Sequence, residues 1–193
     1  MLAPRKTLWS TPNAVIDRVI ENVSNLGSRD RICDIGCGDG RVILRWAAAL
    51  SESSQASLDN SCQCDFPSFI GIDIDSDRVN QAKFMLEEAR KACRIDRRID
   101  VSFHCTNVLE SEQLIQDATV FFLYLIPRGL RKIKPILNKL LEDASEEKLD
   151  RLRVITYMSP LPDEAPVRVE RVQVPHQPDA IWPVYFYSLA KED

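Results

Sequence analysis

Arg31-Ile32-Cys33-Asp34-Ile35-Gly36-Cys37-Gly38-Asp39-Gly40-Arg41 is the stretch on which the fold turns. Its first five residues are short and apolar enough for a buried strand, and Val42, Ile43, Leu44 and Trp46 open a helix directly after the glycines. Strand, glycine turn and helix in that order form the repeating unit of an α/β sheet. Gly36, Gly38 and Gly40 let the backbone turn sharply and pass close under a ligand, where a Cβ would resist positive φ.

Working downstream, Phe69-Ile70-Gly71-Ile72-Asp73 reads as a second strand, and Asp75 or Ser76 caps a helix with Val79, Ala82, Leu86, Ala89 and Cys93 on its apolar face. A third strand is expected over Ile99–Cys105. A fourth, Ala118–Leu125, is apolar on both faces as a central parallel strand is, and ends at Ile126-Pro127. Leu130, Ile133, Leu137 and Leu140 mark the next helix, with Pro135 expected to kink it. Arg153–Met158 supplies a fifth strand, and two antiparallel strands, 167–174 and 181–189, close the chain.

Upstream, Thr11-Pro12 reads as an N-cap followed by proline at the first helical position, opening a helix over 12–26 within an N-terminal region of 1–27. Residues 51–68 are polar and serine-rich and read as a surface insertion. The expected fold is α/β: a doubly wound, mostly parallel seven-stranded sheet with an antiparallel C-terminal strand pair. With 193 residues, 45% of them hydrophobic, one domain over 1–193 is the expectation.

Lys and Arg number 25 against 29 Asp and Glu, a balance that supplies no overall field for nucleic acid or an anionic membrane. No stretch approaches the roughly 20 apolar residues of a membrane span. Met1–Lys6 lacks the apolar core of a secretory signal, so the expected compartment is the cytoplasm, with mitochondria as the alternative. The six cysteines, at 33, 37, 62, 64, 93 and 105, show no framework spacing and read as free thiols. Cys62-Gln63-Cys64 has no partner pair and no nearby His, so no metal site is expected.

The turn departs from a dinucleotide fingerprint, because Gly40 stands one place early and Arg41 holds the position of the third glycine. Asp34 and Asp39 would also oppose a pyrophosphate at the following helix N-terminus. A ligand with an ammonium group fits these carboxylates better, with backbone N–H groups at the helix start free to take a ligand carboxylate. A phosphate site and a purely structural turn remain the alternatives.

Asp34-Ile35-Gly36-Cys37-Gly38-Asp39-Gly40-Arg41 resembles motif I of class I S-adenosylmethionine-dependent methyltransferases. The resemblance implies S-adenosylmethionine as cofactor, held by Asp34, Gly36, Cys37, Gly38 and Gly40. Gly71-Ile72-Asp73-Ile74-Asp75 is similar to the acidic end of the second strand in that class, which assigns the ribose hydroxyls to Asp73 and an apolar adenine contact to Ile74. Asn107-Val108 falls where the class often carries an aspartate that reads the adenine amino group.

A narrower resemblance runs from Trp9-Ser10-Thr11-Pro12 through motif I to Phe122–Pro127 and Tyr157–Pro162. It is to the group related to the protein-lysine methyltransferases of the ATP synthase c subunit and the adenine nucleotide carrier, and implies a protein acceptor. The fourth strand lacks the Asn/Asp-Pro-Pro-Tyr/Phe tetrad of methyltransferases acting on bases and amides. A lysine amine needs mainly desolvation and alignment, so no dedicated base is required. Tyr124, Pro127 and Thr11 are the candidates for lining the acceptor channel. A small-molecule or RNA methyltransferase and a cofactor-binding scaffold are the competing readings. His104, His176 and the basic set Arg128, Arg131, Lys132, Lys134 and Lys139 carry no assigned chemistry.

Overall fold

The computed structural model describes residues 10–23, 26–56, 66–174 and 177–188. Seven strands make one sheet: β1 (Arg31–Ile35), β2 (Ser68–Asp73), β3 (Val101–Cys105), β4 (Val120–Leu123), β5 (Arg153–Tyr157), β6 (Arg168–Val174) and β7 (Gln177–Ser188). Their order is β3-β2-β1-β4-β5-β7-β6, parallel from β3 to β5, with β7 antiparallel to both β5 and β6. The expected fold is therefore the observed one. Strand order reverses between β1 and β4, and the carboxyl ends of the strands at such a switch point are where open α/β sheets place a binding crevice. The glycine turn leaves β1 at that crevice.

Helices cover both faces. On one face α1 (Asn13–Asn22), α2 (Arg41–Ala56) and α3 (Ser76–Lys91) bury Val15, Ile16 and Val19, then Ile43, Trp46 and Ala47, then Val79, Ala82 and Leu86 against Ile32, Phe69, Phe103, Phe122 and Ile155. On the other, α4 (Pro127–Glu142) buries Leu130, Ile133, Leu137 and Leu140 against Cys33, Ile35, Ile70, Ile72, Phe121 and Leu123. Both faces of the central strands are thus apolar, as parallel strands between two helical layers require. Among the described residues no helix is long and apolar enough to cross a membrane.

Several boundaries differ from expectation for visible reasons. α1 starts at Asn13, with Pro12 as its cap residue rather than its first helical residue, and the carbonyl of Pro12 accepts from the amides of Val15 and Ile16. It stops at Asn22, whose side chain donates to the carbonyl of Arg18 at 2.7 Å and competes with the helical ladder. The serine-rich stretch expected to leave the fold at residue 51 begins as helix: α2 runs to Ala56, and Ser51 and Ser53 bond back to the carbonyls of Ala47 and Ala49. Buried Ser51 also accepts from the amide of Asp96, which ties α2 to the loop after α3. Residues 57–65, with Cys62 and Cys64, lie outside the described residues, as does His176.

α3 is capped by Asp75, whose carboxylate accepts from the amides of Asp77 and Arg78. It ends at Lys91, so Cys93 is exposed in a left-handed turn (φ 53°) rather than on the helix. β4 closes at Leu123, and Pro127 opens α4 at its first turn, where the lacking N–H costs nothing, instead of stopping the strand. Pro135 lies inside α4 on the exposed side, and the helix continues to Glu142. A short helix α5 (Glu146–Leu149) and two 3-10 turns, Val108–Glu110 and Glu112–Leu114, were not anticipated.

Candidate functional site

Gly36, Gly38 and Gly40 all take positive φ, at 82°, 54° and 75°. The turn is held from within. The amides of Gly36 and Cys37 both donate to the carbonyl of Ile72, that of Gly40 to Cys37, and that of Gly38 to Asp73 Oδ2 at 2.8 Å. The Arg41 amide donates to Asp39 Oδ1. These five N–H groups stabilise the turn itself, so the expected use of them for a ligand carboxylate does not apply at these positions.

The three glycines have different reasons to be glycine. A Cβ on Gly36 would meet Leu125 Cδ2 at 3.1 Å, and one on Gly40 would strike the Phe103 ring at 2.7 Å and Ala82 at 2.8 Å. Gly40 therefore seats α2 against β3 and α3. Gly71 on β2 is equally constrained, with its missing Cβ 2.5 Å from Phe103 and 3.0 Å from Cys37 Sγ. Cys37 turns its side chain into this packing and is buried, so only its backbone borders the crevice.

Asp34 is the unusual group. Its side chain is 3% exposed, and no hydrogen bond reaches its carboxylate from any described residue. Burial, reinforced by the negative charges of Asp73 and Asp39, raises its pKa from 3.8 to about 8. Asp39 is compensated by a bidentate pair with Arg41 (2.9 and 2.6 Å), whereas Asp34 has no such cation. An acid left buried and unpaired beside the glycine turn has the chemistry to pair with a cationic ligand group.

Asp73 stands at the carboxyl end of β2 with its oxygens shared between backbone amides, Oδ2 accepting from Gly38 and Oδ1 from Asp75 at 3.0 Å. Each carboxylate oxygen has a second lone pair, so the group retains capacity for a diol. The next residue, Ile74, is 53% exposed, an apolar side chain displayed beside the crevice. Asn107 is more committed: its Oδ1 caps the first 3-10 turn through the amide of Leu109, and its Nδ2 donates to Glu110. Val108 is buried in the α4-side core and reaches the crevice only through its backbone.

Of the residues expected to line an acceptor channel, Tyr124 follows the last residue of β4 and is half-buried. Its ring packs on Tyr157, centroids 4.6 Å apart at 59°. Tyr157 ends β5, and since Leu123 faces Thr156 in the parallel register, the two tyrosines stand side by side one step further on. Thr11 is buried just before α1, which packs on the same sheet face as Tyr124 and Tyr157. Pro127 lies at the start of α4, and α4 covers the opposite face. Thr11 and Tyr124 thus share a face and Pro127 does not. Tyr157, which the sequence reading did not single out, comes beside Tyr124 because a tyrosine follows β4 and another ends its parallel neighbour β5. His104 on β3 has its pKa lowered by burial, then by Lys83 and Arg31, and lies at the far side of the sheet from Tyr124.

No family model matches the chain. It is similar to a protein-lysine N-methyltransferase of Saccharolobus islandicus (strain REY15A), 26% identical over 129 residues, which is 67% of this chain and 66% of that relative's length. Among solved structures it is similar to an RNA methyltransferase from Salinibacter ruber in complex with S-adenosyl-L-homocysteine, 26% identical with a TM-score of 0.63 over 95% of each chain. Magnesium protoporphyrin IX methyltransferase from Synechocystis PCC 6803 with bound SAM shares the fold at 14% identity, with a TM-score of 0.53 over 89% of this chain and 76% of that one. The class defined by strand order and crevice is the Rossmann-like methyltransferase fold.

Proposed function

We propose that the protein is an S-adenosylmethionine-dependent methyltransferase whose acceptor is the side-chain amine of a protein lysine. The observation that carries the cofactor is Asp34, a buried carboxyl without a protein partner, set between a left-handed glycine turn and Asp73. S-adenosylmethionine is the cofactor. The residues present fit it: Asp34 would hold the ammonium, Asp73 the ribose diol, and exposed Ile74 one face of the adenine. Asn107 would add a contact through the remaining lone pair of its amide oxygen. Asn107 and Val108 otherwise serve the 3-10 turn that bounds this end of the crevice.

When bound, S-adenosylmethionine would supply an electrophilic methyl to the lone pair of a neutral amine, with the C–S bonding pair left on sulfur and one amine proton lost to water. What the chain must do is desolvate and aim the amine. Tyr124 at the end of β4 presents a phenol and a ring face for that purpose, with buried Thr11 on the same face. The lysine reading is supported by this aromatic acceptor side and by the Saccharolobus relative. RNA is the second reading, favoured by the Salinibacter relative, which matches over 95% of each chain.

Calorimetric titration with S-adenosylmethionine, followed by tritiated-methyl transfer into cell lysate, tests both steps. Binding and label that protease removes and nuclease leaves support a protein acceptor. Label removed by nuclease establishes RNA instead, and absence of binding by the folded protein overturns the cofactor assignment.

A further inference from the structure

Tyr124 and Tyr157 form the only ring pair among the described residues at the carboxyl edge of the sheet, one strand over from the glycine turn. β4 pairs with β1 so that Phe122 faces Asp34, and Tyr124 lies two residues further along the same face. No hydrogen bond to a described residue occupies either phenol. Burial, and secondarily Tyr124, raise the pKa of Tyr157 to about 12, and burial raises that of Tyr124 too, so both hydroxyls stay protonated near neutrality.

The backbone holds Tyr157 firmly. Met158, directly after it, has φ 72°, a left-handed conformation that costs a residue with a Cβ about 1 kcal/mol or more. Its amide donates to the carbonyl of Pro183 at 3.0 Å, the Ser159 amide donates to the carbonyl of Tyr157 at 2.9 Å, and Thr156 Oγ1 donates to the carbonyl of Ser159 at 2.7 Å. Tyr157 is 3% exposed and packed into the core beneath. Strain fixed by three hydrogen bonds at the end of a strand, beside a crevice, is the arrangement expected where a side chain must be aimed.

We infer that Tyr157 is a second acceptor-binding residue, which with Tyr124 receives the two N–H groups of a neutral lysine amine and thereby limits how many methyl groups that amine takes. This rests on the lysine reading above. A primary amine has two N–H donors and one lone pair. Two phenol oxygens accepting the donors leave the lone pair as the remaining direction, the one that must face the methyl group. A monomethylated amine has one N–H left, and its methyl group must occupy the space beside one hydroxyl. Removing that hydroxyl removes one orienting bond and makes room, which favours a second transfer, releasing the last amine proton to water, and a third, which leaves a quaternary ammonium with no proton to lose. The aromatic faces serve the methylated products, which carry positive charge and diminishing hydrogen-bonding capacity.

The test uses the full chain, tritiated S-adenosylmethionine and lysate protein as acceptor, with the labelled protein hydrolysed and its mono-, di- and trimethyllysine separated. Tyr157→Phe keeps the ring and loses only an unbonded hydroxyl, so its cofactor affinity should match wild type within about twofold. The expected result is a severalfold rise in the ratio of di- and trimethyllysine to monomethyllysine, with a drop in the initial rate of about fivefold to tenfold, the worth of one hydrogen bond. Tyr124→Phe should move the ratio in the same direction. Labelled lysine whose distribution is unchanged in Tyr157→Phe overturns this inference and leaves the lysine reading standing. Cofactor binding with no labelled lysine overturns both. Purified lysate RNA labelled in place of protein does the same.

Discussion

Asp73 Oδ2 accepts the amide of Gly38 at 2.8 Å, joining the end of β2 to the middle of the glycine turn that follows β1. One carboxylate thus shapes the turn, and under the proposed function its free lone pairs would take the ribose hydroxyls. Asp73→Ala should lose both contributions and weaken S-adenosylmethionine binding by roughly ten- to a hundredfold, the range for hydrogen bonds to a charged group. Asp73→Asn keeps one oxygen acceptor and should fall between. Calorimetry on both variants checks this, and equal affinity for Asp73→Ala and wild type would remove Asp73 from the site.

Asp34 predicts a pH dependence whose sign follows from its raised pKa. In the folded chain its proton is held to about pH 8, against 3.8 for the ordinary carboxyl, so folded protein binds more protons than unfolded across that window. Its contribution to stability is intact below about pH 4 and declines as pH rises until the folded pKa is passed. Asp34→Asn should therefore stabilise the cofactor-free protein at pH 8 and flatten this slope, measured by urea unfolding at several pH values. A bound ammonium favours the ionised form, so S-adenosylmethionine binding by wild type should release protons at pH 7. Affinity should rise toward pH 8, where α-amino groups themselves begin to lose their proton. Calorimetry in two buffers of different ionisation enthalpy reads the release, and Asp34→Asn should abolish it.

The sheet was legible because its strands are apolar runs bounded by glycine, proline and capping aspartate, and Asp75 caps α3 as read. Asp34 and Asp73 stood out through the resemblance of their segments to motif I and to the acidic end of the second strand, and the structure brings both to the glycine turn, where Asp73 also accepts two backbone amides. What escaped depended on distant partners. Ser51 is helical because Ala47 and Asp96 satisfy its hydroxyl, a pairing that a serine-rich stretch does not announce. Pro127 reads equally as a strand stop or a helix start, and the amides of Gly129 and Leu130, which donate to the carbonyl of Ile126, make it the first residue of α4. Tyr157 acquires its meaning only when β5 is laid beside β4.

Gly40 and Gly71 should separate steric from conformational cost, since both face Phe103. Gly71→Ala drives a Cβ to 2.5 Å from the ring in ordinary backbone, and overpacking of this kind costs about 1–3 kcal/mol. Adding Phe103→Leu should recover part of that loss. Gly40→Ala should be rescued less, because its φ of 75° and the 2.8 Å approach to Ala82 persist after the ring is trimmed. The left-handed backbone alone leaves about 1–2 kcal/mol unrecovered. Chemical unfolding of the two single variants and two double variants measures the difference. Equal rescue at both positions would show that the left-handed turn carries no strain for alanine.

At the amino edge of the sheet, away from the glycine turn, buried Asp30 gathers four segments. Its Oδ2 accepts from the amide of Gly27 at 2.8 Å, and its Oδ1 from Thr119 Oγ1 at 2.9 Å and Arg151 Nη1 at 3.1 Å. Its carbonyl accepts from the amide of Ser68 at the start of β2, and Thr119 Oγ1 accepts from the amide of Arg31. Asp30→Ala leaves a buried hydroxyl, an amide and a guanidinium short of an acceptor, and should cost about 3 kcal/mol. For a chain of this size that lowers Tm by roughly 6–12 °C. Cofactor affinity of the folded variant should stay at the wild-type value, because Asp30 and Asp34 lie toward opposite ends of β1 and only Asp34 borders the crevice. A stable Asp30→Ala protein would show that water replaces the carboxylate. A stable variant with weakened cofactor binding would show instead that the amino edge is coupled to the glycine turn through β1.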